Sequence, residues 1–118
     1  MPELELPRLK SKPRRERANR SCPGHRAWVR RHDCSVRGCR RGPIECAHVR
    51  SGTDGGAGLK PSDKWTISLC EYHHREQHRL GEPAFEKRYE LHLLGLAMEF
   101  ARKSPFRAKL GTTNGELR

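Results

Sequence analysis

Nine residues, Cys70-Glu71-Tyr72-His73-His74-Arg75-Glu76-Gln77-His78, hold one cysteine and three histidines, and no other stretch so narrows what the chain can fold into. EYHHREQHRL lacks breakers, so it is expected to form a helix after Cys70 that stops at Gly81. Successive helical residues stand about 100° apart, so His73 and His74 cannot easily serve one ion, whereas His74 and His78 share a face. Two sites are therefore expected. Cys70-x2-His73 is one half-site and Cys34-x4-Cys39 a second, and together they make a tetrahedral Cys3His set suited to structural zinc. Cys46 is an alternative ligand, and Cys22 reads as a spare thiol before the first helix. The plainer reading is that these are ordinary buried cysteines.

A metal staple answers a need that composition makes plain. The chain has 118 residues, 33% of them hydrophobic and 6% aromatic, with mean hydropathy -0.97, enough for one domain with a thin core. The formal charge is +11 and the pI near 10.1, which favours polyanions, nucleic acid first. The start, MPELELPRLK, lacks a signal-peptide core and no apolar run reaches membrane-spanning length, so a cytoplasmic protein without membrane contact is expected. In a reducing compartment, cysteines bind metal more readily than they pair as disulfides.

Three segments follow from the pattern. Residues 1–21 read as a disordered basic arm; residues 1–31 hold ten Lys/Arg against three Glu, and such a surplus adds phosphate affinity through counterion release. Residues 22–103 form the domain, and residues 104–118 read as a flexible tail. Inside the domain the expected elements are a short helix over 25–31 with Trp28 and Val29 as apolar contacts, a strand over 44–50, and a glycine-rich loop over 51–64. A second strand over 65–69 follows, then the His-rich helix and a C-terminal helix over 83–103 that Gly95 splits. The fold class is α+β. On the first strand, Cys46, His48 and Arg50 are expected to share a face.

His74-x3-His78 is the arrangement by which a helix offers two imidazoles to one ion, although histidines at this spacing are also common as solvated surface groups. His48, on the opposing strand, is a candidate general base for an attacking water. An ion on one side and a base on the other suit phosphodiester hydrolysis. Arg50, Arg75 and Arg79 are near enough in sequence to hold phosphates, with solvated charge as their default role.

The Cys-x4-Cys turn, Ala47-His48-Val49-Arg50, the glycine-rich loop, and SLCEYHHREQHRLGEPAFEKRYELHLL together resemble the HNH (ββα-metal) endonucleases, and more narrowly those of phages and prophages, which include the RecA-dependent nuclease Ref. The resemblance covers roughly residues 22–103. It implies a ββα-metal core with a structural zinc knuckle, and cutting of DNA with a divalent ion such as Mg²⁺ or Mn²⁺. It also implies a recombination, repair or phage setting in a bacterial or phage-infected cell, with a recombinase such as RecA as a partner. By motif position His48 matches the general base, His74 and His78 the helix ligands, and Cys34, Cys39, Cys70 and His73 the zinc set. Ala47 stands where many such enzymes carry Asp or His, and Trp65 where many carry Asn, which leaves two helix ligands with Asp54 and Asp63 as acidic candidates to add to them.

Two rival readings come from other classes. A non-catalytic zinc module that binds nucleic acid needs the arm and the Cys3His set but not His48. An adaptor for a recombinase or other protein would use the C-terminal helix.

Overall fold

In the computed structural model the described residues are 20–55 and 59–111, and most of the expected basic arm lies outside them. Among the described residues there are four helices and one two-stranded sheet: α1 (Pro23–Val29), β1 (Ile44–His48), β2 (Thr66–Cys70), α2 (Glu71–Leu80), α3 (Glu82–Tyr89) and α4 (Leu93–Lys103). The result is a small α+β domain.

The strands pair antiparallel, with Ile44 opposite Cys70, Ala47 opposite Ile67 and His48 opposite Thr66. Every residue of β2 is buried, because helices or the turn before β1 cover both of its faces. Ala47, Ile67, Leu69, Phe85, Leu93 and Ala97 are fully buried in the main core, and this burial is the chief apolar contribution to stability. The polar residues of β2 are satisfied locally. Ser68 Oγ donates to the Asp33 carbonyl at 2.7 Å, and Thr66 Oγ1 donates to the Asp63 carbonyl at 2.9 Å. These two bonds tie the turn after α1 and the inter-strand loop to the sheet.

α2 begins and ends where its sequence predicts. Cys70 is the N-cap, its sulfur accepting the His73 N–H at 3.4 Å, and Gly81 ends the helix at φ 85°. The other expectations shift. α1 starts two residues early because Pro23 supplies a pre-set φ at its first position. β1 stops at His48, so Arg50 lies beyond the strand and does not share its face. The expected helix over 83–103 is two helices, and the break is not at Gly95. It falls at Glu90, in the left-handed region at φ 55°, while Gly95 lies inside α4, where a Cβ would stand 2.6 Å from His92 Nδ1. Glu86 Oε2 accepts the Leu93 N–H at 2.8 Å and joins the two helices across the break.

Residues 104–111 also differ from the expected flexible tail. They form turns that fold back on α1, with Ser104 and Leu110 buried and Phe106 packed beside Cys22 and Ala101. The approach is so close that a Cβ at Gly24 would lie 2.5 Å from the Phe106 ring. Residues 112–118 lie outside the described ones. No helix among the described residues is long and apolar enough to cross a membrane.

Candidate functional site

The turn at Cys34 and Cys39 and the β2–α2 junction at Cys70 and His73 converge beside the sheet, and the four ligand atoms lie within 4.8 Å of one another. Cys34 Sγ is 3.5 Å and Cys70 Sγ 3.3 Å from His73 Nδ1, and Cys39 Sγ is 3.8 Å from Cys70 Sγ. A tetrahedron with metal–sulfur bonds of about 2.3 Å has sulfur–sulfur edges of about 3.8 Å and somewhat shorter sulfur–nitrogen edges. The cluster thus has the dimensions and donor set of a site that can hold an ion such as zinc. Burial pushes the Cys34 thiol up to about 11, so a bound cation is needed to hold it as thiolate at neutral pH. Burial also lowers His73, which keeps its imidazole neutral and able to ligate.

Cys46 and Cys22 stand apart from this cluster. Cys46 lies within β1, where burial raises its thiol. Cys22 caps α1, and its N–H donates to Asp63 Oδ2 at 2.7 Å.

Asp63, an acidic candidate from the sequence, meets His48 across the fold. Its carboxylate is 5% exposed and accepts from the Cys22 backbone, from Arg26, and from His48 Nε2 at 2.9 Å. Burial alone would raise its pKa, but these donors outweigh burial and hold it down at about 2. With its oxygens taken, Asp63 is an orienting partner for His48 rather than a third ligand beside His74 and His78. Asp54 is also engaged elsewhere: it accepts from the Ser62 N–H at 3.0 Å, from Ser62 Oγ at 2.9 Å, and from Arg20 at 3.2 Å. These bonds shape the inter-strand loop.

The His74 and His78 rings lie side by side, centroids 5.0 Å apart, as the i,i+4 spacing requires. His74 Nδ1 donates to Glu45 Oε1 at 2.7 Å, a contact that the local sequence pattern does not reveal because Glu45 is on β1. A carboxylate can only accept, so Glu45 fixes His74, and Asp63 fixes His48, in one tautomer. His74 keeps its lone pair on Nε2 and His48 keeps its own on Nδ1. Glu45 and His48 are three apart on β1 and project from opposite faces. At the end of the strand a cleft of about 270 Å³ is lined by His48, Arg50, Ser51, Gln77, His78 and Glu82, and His74 is not among its lining residues.

Gln77 and Glu82 build that cleft. Gln77 Nε2 donates to the His48 carbonyl at 3.1 Å, and Glu82 accepts the Arg50 and Ser51 N–H groups at 2.8 Å each. Of the candidate phosphate contacts, Arg50 lines the cleft. Arg75 pairs with Glu71 at 3.6 Å, and Arg79 is held in a two-point pair by Glu76 at 2.8 and 3.0 Å. Among the described residues, His74 and His78 do not form a tight group with a third ligand as the Cys3His residues do.

A family model described as a protein of unknown function, DUF968, matches residues 8–104. No curated protein and no solved structure matches the chain. The family match takes in both histidine pairs and the whole Cys3His cluster, and the chain belongs to the DUF968 family.

Proposed function

We propose that the protein is a metal-dependent endonuclease of the HNH (ββα-metal) kind that hydrolyses DNA phosphodiester bonds, with the Cys3His cluster as its structural zinc site. The observation that carries this reading is the presence of His48, oriented by Asp63, and His78, beside His74, on one cleft. The excess positive charge supplies affinity for the substrate backbone.

His48 Nδ1, its lone pair left free by the Asp63 contact, takes a proton from water as the water oxygen attacks phosphorus; the bond to the sugar oxygen breaks, and that oxygen leaves as a hydroxyl with a proton from solvent. Asp63 holds Nε2–H throughout and balances the charge of the imidazolium that forms. Arg50 holds a phosphate oxygen at the cleft mouth. His74 and His78 are the residues that would hold a divalent ion such as Mg²⁺ or Mn²⁺, with Glu45 fixing His74 in the ligating tautomer; the ion would stabilise negative charge at the phosphate.

The tight Cys3His geometry, which no other group among the described residues equals, favours a second reading, a zinc module that binds nucleic acid without cutting it. Purified protein incubated with supercoiled plasmid and with single-stranded circular DNA, with Mg²⁺ or Mn²⁺ and with chelator, separates the two. Metal-dependent cutting supports the nuclease; binding without cutting under every metal condition supports the module.

A further inference from the structure

The turn that carries Cys34 and Cys39 also carries Arg37, Arg40 and Arg41, all exposed. They border an open cleft of about 600 Å³ on the outer side of the Cys3His cluster, floored by Gly38, Tyr72 and His73. Arg41 lies over the Tyr72 ring, 4.7 Å from its centroid, and Tyr72 is 41% exposed. A Cβ at Gly38 would meet nothing within 4 Å, so the floor of the cleft is open to an incoming chain. Among the described residues no carboxylate pairs with any of the three arginines. The nearby acids are engaged on α2, Glu71 with Arg75 and Glu76 with Arg79 and Tyr89.

Three exposed arginines on one short turn create a local positive potential that attracts anions. Their spread along an open cleft suits a repeated anion better than a single phosphate, which needs an enclosed pocket of converging donors. The aromatic ring beside them adds a stacking surface of the kind nucleic-acid grooves use. The cleft is also distinct from the one lined by His48 and His78. Tyr72 and His78 are six positions apart on α2 and so point to different sides of the helix.

We propose that Arg37, Arg40 and Arg41 form a second binding surface, on the metal-bearing turn, for the phosphodiester backbone of a nucleic acid strand. It rests on the nucleic-acid part of the function proposed above and is independent of catalysis. The metal-bound turn then has two duties: it staples the fold and it presents the arginines.

The test is binding of a labelled oligonucleotide, single-stranded and duplex, by full-length protein in a His48→Ala background, where cutting does not interfere, over a range of salt. A variant with Arg37→Gln, Arg40→Gln and Arg41→Gln is expected to keep its zinc content. Its log–log salt dependence should be shallower by about two to three units, since each phosphate contact contributes about 0.7 on single strands and about 0.9 on duplex. The matching triple Lys variant should keep most of the slope. Removing equal charge from the C-terminal region, with Arg102→Gln, Lys103→Gln and Lys109→Gln, should change it by less than half as much. An unchanged slope in the Gln variant, a Lys variant as weak as the Gln variant, or an equal loss from the C-terminal control overturns the inference while leaving the nuclease reading in place. Absence of DNA affinity in the parent protein overturns both.

Discussion

Asp63 Oδ1 accepts the Nε2 proton of His48 across 2.9 Å, and this bond, from the inter-strand loop to the last residue of β1, fixes which nitrogen of His48 is basic. The same carboxylate binds the Cys22 N–H and Arg26, so it also fastens the start of α1 to the sheet.

Asp63→Asn tests that relationship. The amide can still accept from Nε2 but carries no charge to stabilise the imidazolium, so plasmid nicking should fall by about 10–100-fold. An unchanged nicking rate in the Asn variant would mean that Asp63 is only a structural tie.

His25 gives the fold a pH dependence. It is fully buried, its Nδ1 is 2.9 Å from Ser104 Oγ, and burial lowers its pKa to about 4. The unfolded chain takes up this proton near pH 6.5, the folded one only near pH 4, so stability is lost as pH falls through that window. Asp63, held at about 2 against an ordinary 3.8, continues the loss below it. Denaturant unfolding at a series of pH values should show the first loss, and His25→Phe should flatten it; an equal slope in both proteins would contradict the assignment.

The cysteines divide into two classes. Cys70→Ser or Cys39→Ser should abolish bound zinc and leave the chain largely unfolded, because a structural zinc contributes about 10 kcal/mol or more, comparable to the whole stability of a small domain. Cys46→Ser should keep full zinc content and cost about 1–2 kcal/mol through burial of a hydroxyl. Metal analysis beside thermal melting reads both; loss of zinc from Cys46→Ser would place it among the ligands.

Much of this arrangement is written locally. The span of α2, its stop at Gly81 and the two half-sites of the metal-binding group, Cys34 with Cys39 and Cys70 with His73, follow from residue spacing within a turn or two. What spacing does not encode is partnership across the fold. Glu45 reaches His74, and Asp63 reaches His48 and Cys22, only after the strands have paired and the loop has closed. The break at Glu90 escaped the pattern because a left-handed residue there is ordinarily glycine or asparagine, while Gly95 carried the breaker signal from inside a helix. Phe106 and Leu110 escaped because two apolar residues in a short tail show no period, yet they close over Cys22 and Ala101.

The backbone at Glu90 offers a gain in stability. A non-glycine residue in the left-handed region costs about 1 kcal/mol, and Glu90→Gly removes that cost at a position that makes no side-chain bond among the described residues. The melting temperature should rise by a few degrees with zinc content unchanged; a fall would mean that the left-handed turn is held by the glutamate itself.

The most direct test of the central claim is nicking of supercoiled plasmid in Mg²⁺ or Mn²⁺ by the parent protein and by His48→Ala, each checked for zinc content and DNA binding. Loss of the general base should lower the rate by about 10²–10⁴-fold while zinc content and DNA binding stay as they were. A His48→Ala protein that nicks as fast as its parent would contradict the account.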